Sequence, residues 1–213
     1  MLRYAVFSLM ILCCLQPAAS EVKFGGGPQA GIAFWLTPDY EAGNQKLSLY
    51  GTGWTFGGHG DLIVMKYFTG RFSLDYTMFS SDKKAIENLL AQANPNAVAS
   101  AIAVDGLNVS DFSIGLTGLG TLPTKSAFTP YALFGFGIHF VSISDPKVTY
   151  QGVDQGQVIP KVDSETDFGL QFGAGTEYRL KGVTLFLEVK YQLIFTKDKS
   201  TGIFPITIGA TFP

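Results

Sequence analysis

Three consecutive stretches near the end of the chain place an apolar or aromatic residue at every second position. Residues 168–180 set Phe168, Leu170, Phe172, Ala174, Tyr178 and Leu180 against Gly169, Gln171, Gly173, Gly175, Glu177 and Arg179. Residues 183–195 set Val183, Leu185, Leu187, Val189, Tyr191, Leu193 and Phe195 against a face carrying Thr184, Glu188, Lys190 and Gln192. Residues 204–212 continue with Phe204, Ile206, Ile208, Ala210 and Phe212 on one face. A period of two identifies β-strands, whose successive side chains point to opposite faces of a sheet. Long strands with one apolar face and one face of glycine and charge suit a barrel in a membrane.

Earlier segments repeat the alternation at 28–36, 71–79, 112–120 and 131–143. In the last of these Ala132, Phe134, Phe136, Ile138 and Phe140 oppose Tyr131, Leu133, Gly135, Gly137, His139 and Val141. Residues 55–67 are harder to orient, because Leu62-Ile63-Val64-Met65 is apolar on both faces. The total is about eight strands, the smallest bacterial outer-membrane barrel. The connections at 37–53, 68–70, 80–107, 122–128, 144–167, 181–182 and 196–203 run long, short, long, short, long, short, intermediate. An up-and-down barrel with both termini in the periplasm has that order, with short periplasmic turns and longer extracellular loops.

The two-residue turn Lys181-Gly182 sets a register. Pairing Leu180 with Val183 places Tyr178 against Leu185, Phe172 against Tyr191 and Phe168 against Phe195 on the outer face. On the inner face Glu188 then meets Gly175 and Lys190 meets Gly173, so long charged side chains lie over glycine. For the turn at 68–70, a three-residue loop with Gly70 in a bulge turns His59 and Asp61 inward, away from costly contact with lipid. Within 80–107, Asp82 is a candidate cap for a short helix bearing Ile86, Leu89 and Leu90 at helical spacing, broken by Pro95.

The N-terminus adds an address. Met1-Leu2-Arg3, the apolar residues 4–15 and Pro17-Ala18-Ala19-Ser20 read as a secretory signal peptide cleaved before Glu21. The expected division is therefore 1–20 signal and 21–213 barrel domain. Cys13 and Cys14, the only two cysteines, leave with the signal, so no disulfide, zinc site or thiol nucleophile is expected. Net charge is −2, with no basic stripe for nucleic acid. No apolar run approaches the ~18 residues of a membrane helix. A hydrophobic exported chain without such helices points to a closed barrel, which satisfies every backbone hydrogen bond in lipid.

The glycine-aromatic patterns Gly27-Pro28-Gln29-Ala30-Gly31-Ile32-Ala33-Phe34-Trp35, Thr129-Pro130-Tyr131-Ala132-Leu133-Phe134-Gly135-Phe136-Gly137 and Phe172-Gly173-Ala174-Gly175-Thr176-Glu177-Tyr178 carry a resemblance. With the C-terminal strand, they resemble the small outer-membrane β-barrel superfamily of OmpA-, OmpX- and OmpW-like proteins. That resemblance implies an eight-stranded antiparallel barrel in a Gram-negative outer membrane. It also implies recognition by the barrel-assembly machinery through a C-terminal pattern that Thr207, Gly209 and Phe212 match, with Pro213 last.

Candidate interior polar residues are Arg71, Asp75, His139, Gln171, Glu177, Arg179, Glu188 and Lys190. A paired set of both signs plugging a narrow barrel is the expected arrangement, since buried charge needs a partner. A conducting path for small or apolar solutes, as in OmpW-like proteins, is the alternative. A lipid A-modifying enzyme is a second, and needs a nucleophile and a base on one face. His139 with Ser142 or Ser144 is the one tempting neighbourhood, and strand parity separates it; His59 beside Asp61 reads as a structural pair. The glycine clusters lack the strand-to-helix context of a phosphate loop, and two histidines support no metal site. Asn108-Val109-Ser110 is an accidental glycosylation match in such a setting. The expectation is a monomeric, non-enzymatic structural or surface-contact protein without cofactor, in contact with outer-membrane lipid and lipopolysaccharide.

Overall fold

Each alternating segment forms a strand of one closed barrel. The computed structural model describes residues 23–36, 40–42, 45–47, 49–93, 99–156, 163–197 and 200–213. The signal segment expected at 1–20 lies outside these residues, as does Pro95. The barrel strands are β1 (Lys23–Trp35), β4 (Tyr50–Met65), β5 (Phe68–Ser81), β7 (Val109–Thr121), β8 (Phe128–Ile143), β11 (Glu165–Leu180), β12 (Val183–Phe195) and β13 (Ser200–Thr211). Every pairing is antiparallel, and β1 closes the ring by pairing with both β4 and β13. Gly26 and Phe212 exchange backbone hydrogen bonds of 2.9 and 2.8 Å at the seam. Closure leaves no strand edge for lipid to meet.

Around the ring, alternation maps onto two environments. Phe72, Leu74, Leu116, Phe134, Phe136, Ile138, Phe172 and Leu187 point outward and are exposed. Their strand neighbours Arg71, Ser73, Asp75, Ser113, Gln171 and Glu188 point inward and are buried. A water-soluble barrel would reverse this, because apolar surface on that scale is unfavourable in water.

The β11–β12 hairpin has the expected register: Leu180 pairs with Val183, Phe172 with Tyr191, Glu188 with Gly175 and Lys190 with Gly173. Gly182 carries a φ of +81°, a region that costs other residues strain. The β4–β5 turn differs from expectation. It is Lys66-Tyr67 rather than 68–70, and the irregularity lies between Ile63 and Met65 on β4, with Gly70 inside β5 opposite Leu62. An extra residue in β4 shifts the side-chain phase, which is why Leu62–Met65 has no single polar face. His59 and Asp61 still face inward and are buried.

At the long-loop end the connections fold on themselves. The segment expected as loop 37–53 contains the β2 (Tyr40–Ala42) and β3 (Gln45–Leu47) hairpin, and β4 begins at Tyr50. Helix α1 (Lys83–Ala93) starts where expected: the Ala85 N–H donates to Asp82 Oδ1 at 3.1 Å. It rests on a small sheet of β10 (Val153–Asp154), β9 (Lys147–Tyr150) and β6 (Ile102–Asp105), built from two different loops. Ile86 from the helix and Ile102, Val104 and Val148 from the sheet form a buried cluster with Leu90 and Tyr150. The loops therefore make a cap with its own core above the barrel.

Candidate functional site: the filled barrel interior

Inward positions sort by height into layers. Nearest the short turns, Leu119, Tyr131 and Leu133 form an apolar floor. Above them lies a charged layer. Arg71 Nε and Nη2 donate to the two oxygens of Asp61 at 2.7 and 3.0 Å, while Nη1 reaches Glu188 Oε2 at 3.1 Å. Glu188 Oε2 also accepts from the Tyr131 hydroxyl at 2.9 Å, and its Oε1 lies 3.2 Å from Lys190 Nζ. The Arg71 guanidinium stacks over Phe186, 4.7 Å from the ring centre. Side chains from β4, β5, β8 and β12 thus converge on one ion cluster, and low dielectric makes each link costly to break singly.

The layer above is uncharged apart from Asp75, which accepts from Gln29 Nε2. Gln192 Nε2 donates to Gln171 Oε1 at 3.4 Å, and Gln171 Nε2 to Thr117 Oγ1 at 2.6 Å. Thr77 Oγ1 donates to Thr55 Oγ1 at 3.0 Å. Higher still, His139 Nδ1 lies 2.8 Å from Asp111 Oδ2. Glycine opposite these side chains gives them room: a Cβ on Gly169 would stand 2.7 Å from His139 Nε2. Closest to the long loops, Ala33, Phe79, Val109, Ile194 and Ile203 form an apolar layer, rimmed by Trp35, Tyr50, Val141 and Ile143.

Among the residues singled out from the sequence, Arg71, Asp75, His139, Gln171, Glu188 and Lys190 lie buried in these layers. Glu177 is half-buried at the short-turn rim. Arg179 corrects the expectation: its side chain is 60 % exposed, outside the packed interior, 3.6 Å from Glu177. It has the inward parity, but it stands one residue from the end of β11 and reaches past the rim. Asp111, Asp167, Gln29 and Gln192 are buried interior residues that the candidate set omitted. Parity would have assigned them; Asp111 and Asp167 each sit one residue outside the segments read as strand.

Catalytic arrangements are separated by the same parity. Ser142 faces outward and its hydroxyl accepts from Ser164 at 3.3 Å, whereas His139 is inward on Asp111. Ser144 Oγ accepts from the Asn108 N–H at 2.9 Å in the cap. His59 Nε2 is 2.8 Å from Thr211 Oγ1 and 3.8 Å from Asp61. Among the described residues no group of three or more His, Cys, Asp or Glu could hold a metal ion.

Residues 5–212 match the outer membrane protein β-barrel domain family. The chain belongs to this family. No curated protein matches it significantly. Among solved structures it is similar to neisserial surface protein A, at 16% identity and a TM-score of 0.56, covering 91% of this chain and 99% of that one. It is also similar to a major outer membrane protein of Thermus thermophilus, at 12% identity and TM-score 0.52, covering 91% and 99%. OprG of Pseudomonas aeruginosa matches at 14% identity and TM-score 0.51, covering 91% and 97%. At such identities the likeness is one of fold: an eight-stranded outer-membrane barrel.

Proposed function

We propose that this outer-membrane barrel is a closed anchor that holds its loop cap at the cell surface for structural or surface contacts. In this reading the protein is exported to a Gram-negative outer membrane by a signal peptide cleaved after Ser20. It is inserted by the barrel-assembly machinery and stays monomeric among lipid and lipopolysaccharide. The observation that carries the proposal is the Arg71–Asp61–Glu188–Lys190–Tyr131 cluster, which crosses the lumen within hydrogen-bonding distance. An ion entering that layer would have to displace desolvated charge pairs, a large barrier. Apolar layers above and below the polar ones add two further closures.

Planar-bilayer recording of the refolded protein tests the closure. The expected result is no steady open-channel steps; stable unitary conductance would favour the narrow-channel reading instead. Loss of lipid A acyl chains dependent on His139 or His59 would favour the enzyme reading.

A further inference from the structure

The extracellular mouth of the barrel contains a cavity of about 290 Å³ that the closed-anchor reading does not use. Its walls include Trp35, Tyr50, Val141 and Ile143, and its acidic side is Asp163, Glu165 and Asp167. That size is at the lower end of small-molecule sites, which combine apolar walls with a few placed polar groups and occur in the mouths of barrels. Asp167 is only 8% exposed, yet its Oδ2 carries no hydrogen bond among the described residues. A buried carboxylate oxygen without a partner is costly, and it marks the place where a donor belongs. The neighbouring His139 does not supply that donor through Nδ1, which is engaged with Asp111. From the mouth down, five buried carboxylates (Asp167, Asp111, Asp75, Asp61 and Glu188) share the described interior with the buried cations Arg71 and Lys190 and two histidines, so the interior favours positive charge.

We propose that the mouth binds a small organic ammonium compound with an apolar or aromatic body. The ammonium donates to Asp167, with Glu165 adding to the negative field, and the body packs against Trp35, Tyr50, Val141 and Ile143. Carboxylate and aromatic walls together suit an ammonium group, since ring faces also attract cations. A metal ion is a poorer occupant, because the described residues offer no three-ligand group. The site is a dead end above the filled layers, which fits capture at the surface.

The chain has two tryptophans, and Trp54 faces lipid, so a Trp54→Phe variant leaves Trp35 as the sole indole reporter. Refolded in detergent micelles and checked by heat-modifiable migration, it is titrated with phenethylammonium, the neutral phenethyl alcohol and 3-phenylpropionate. The expected result is a saturable Trp35 fluorescence change with the ammonium, at least ten-fold weaker or absent with the other two. Asp167→Asn should weaken ammonium binding ten-fold or more, and Glu165→Gln should weaken it less. Equal responses to all three probes, no saturation with the ammonium, or unchanged affinity in folded Asp167→Asn would overturn the proposal. So would Ca²⁺ or Na⁺ competing at equal concentration, as a general acidic mouth would allow. If Asp167→Asn does not fold, the probe series and Glu165→Gln decide: equal affinity in Glu165→Gln and for the neutral alcohol overturns the proposal.

Discussion

Arg71 grips both oxygens of Asp61 across the β4–β5 hairpin, at 2.7 and 3.0 Å, and both side chains are buried. The bidentate geometry holds the hairpin's inner face in register and leaves a third arm for Glu188. Replacing Arg71 with Met strips two buried carboxylates of their main cation. The expected loss is about 3–5 kcal/mol, the usual cost of removing one partner of a buried pair. Equilibrium unfolding from lipid vesicles in urea measures it. Adding Asp61→Leu to Arg71→Met should recover part of the loss, because the double change removes the orphaned charge.

Tyr131 lies over Gly175, and a Cβ on that glycine would meet the phenol ring. Gly175→Val therefore pushes Tyr131 from Glu188 and overfills the charged layer. A destabilisation of about 1–3 kcal/mol is expected for such overpacking. Gly120 has open space around its Cβ position, so Gly120→Ala should be near neutral. Comparable losses in both variants, by the same unfolding assay, would show that strand glycine as such matters rather than the room it leaves.

Strand parity and hairpin length made most of the barrel legible in the sequence. In 168–195 they constrain each other: a two-residue loop admits one register that keeps Phe172 and Tyr191 on the same face. Around Leu62–Met65 that mutual check fails, since the shift between Ile63 and Met65 changes the phase and Lys66-Tyr67 lacks the glycine of a typical tight turn. Arg179 shows a different limit: parity reports which face a side chain takes, not its height along the barrel. The cap sheet was illegible for a third reason. Its strands are two to four residues long, and Ile102 pairs with Tyr150 from a separate loop. No periodicity within one segment can reveal such a pairing.

In the cap, Lys83 Nζ lies 2.5 Å from Asp105 Oδ1, joining α1 to β6. The hydrogen bond and charge of Lys83 hold the Asp105 carboxyl below the ordinary aspartate range, and Lys147 adds to the effect. A depressed folded pKa means that the contribution to stability is present above the unfolded value and lost as pH falls through the folded one. Both groups are exposed, so screening keeps the effect small. Carboxyl NMR titration should give Asp105 a midpoint below ordinary aspartate, moving upward in Lys83→Ala. A midpoint indifferent to Lys83 would mean that the pair does not persist in solution.

Phe136 sits midway along β8, pointing out of the barrel, while its neighbour Gly137 points inward. If the outer face meets hydrocarbon, a charge there is expensive at the centre of the strand and tolerable near its ends. Phe136→Arg should cost about 2–4 kcal/mol in equilibrium folding into vesicles, the usual midplane penalty. The same change at Phe128, at the short-turn end of β8, should cost roughly 0–1 kcal/mol, because the side chain reaches the interface. The contrast between the two positions is the decisive quantity: a barrel surrounded by water would give Arg no depth-dependent penalty. Equal small costs at Phe136 and Phe128 would therefore contradict a lipid-facing exterior, whatever the family likeness.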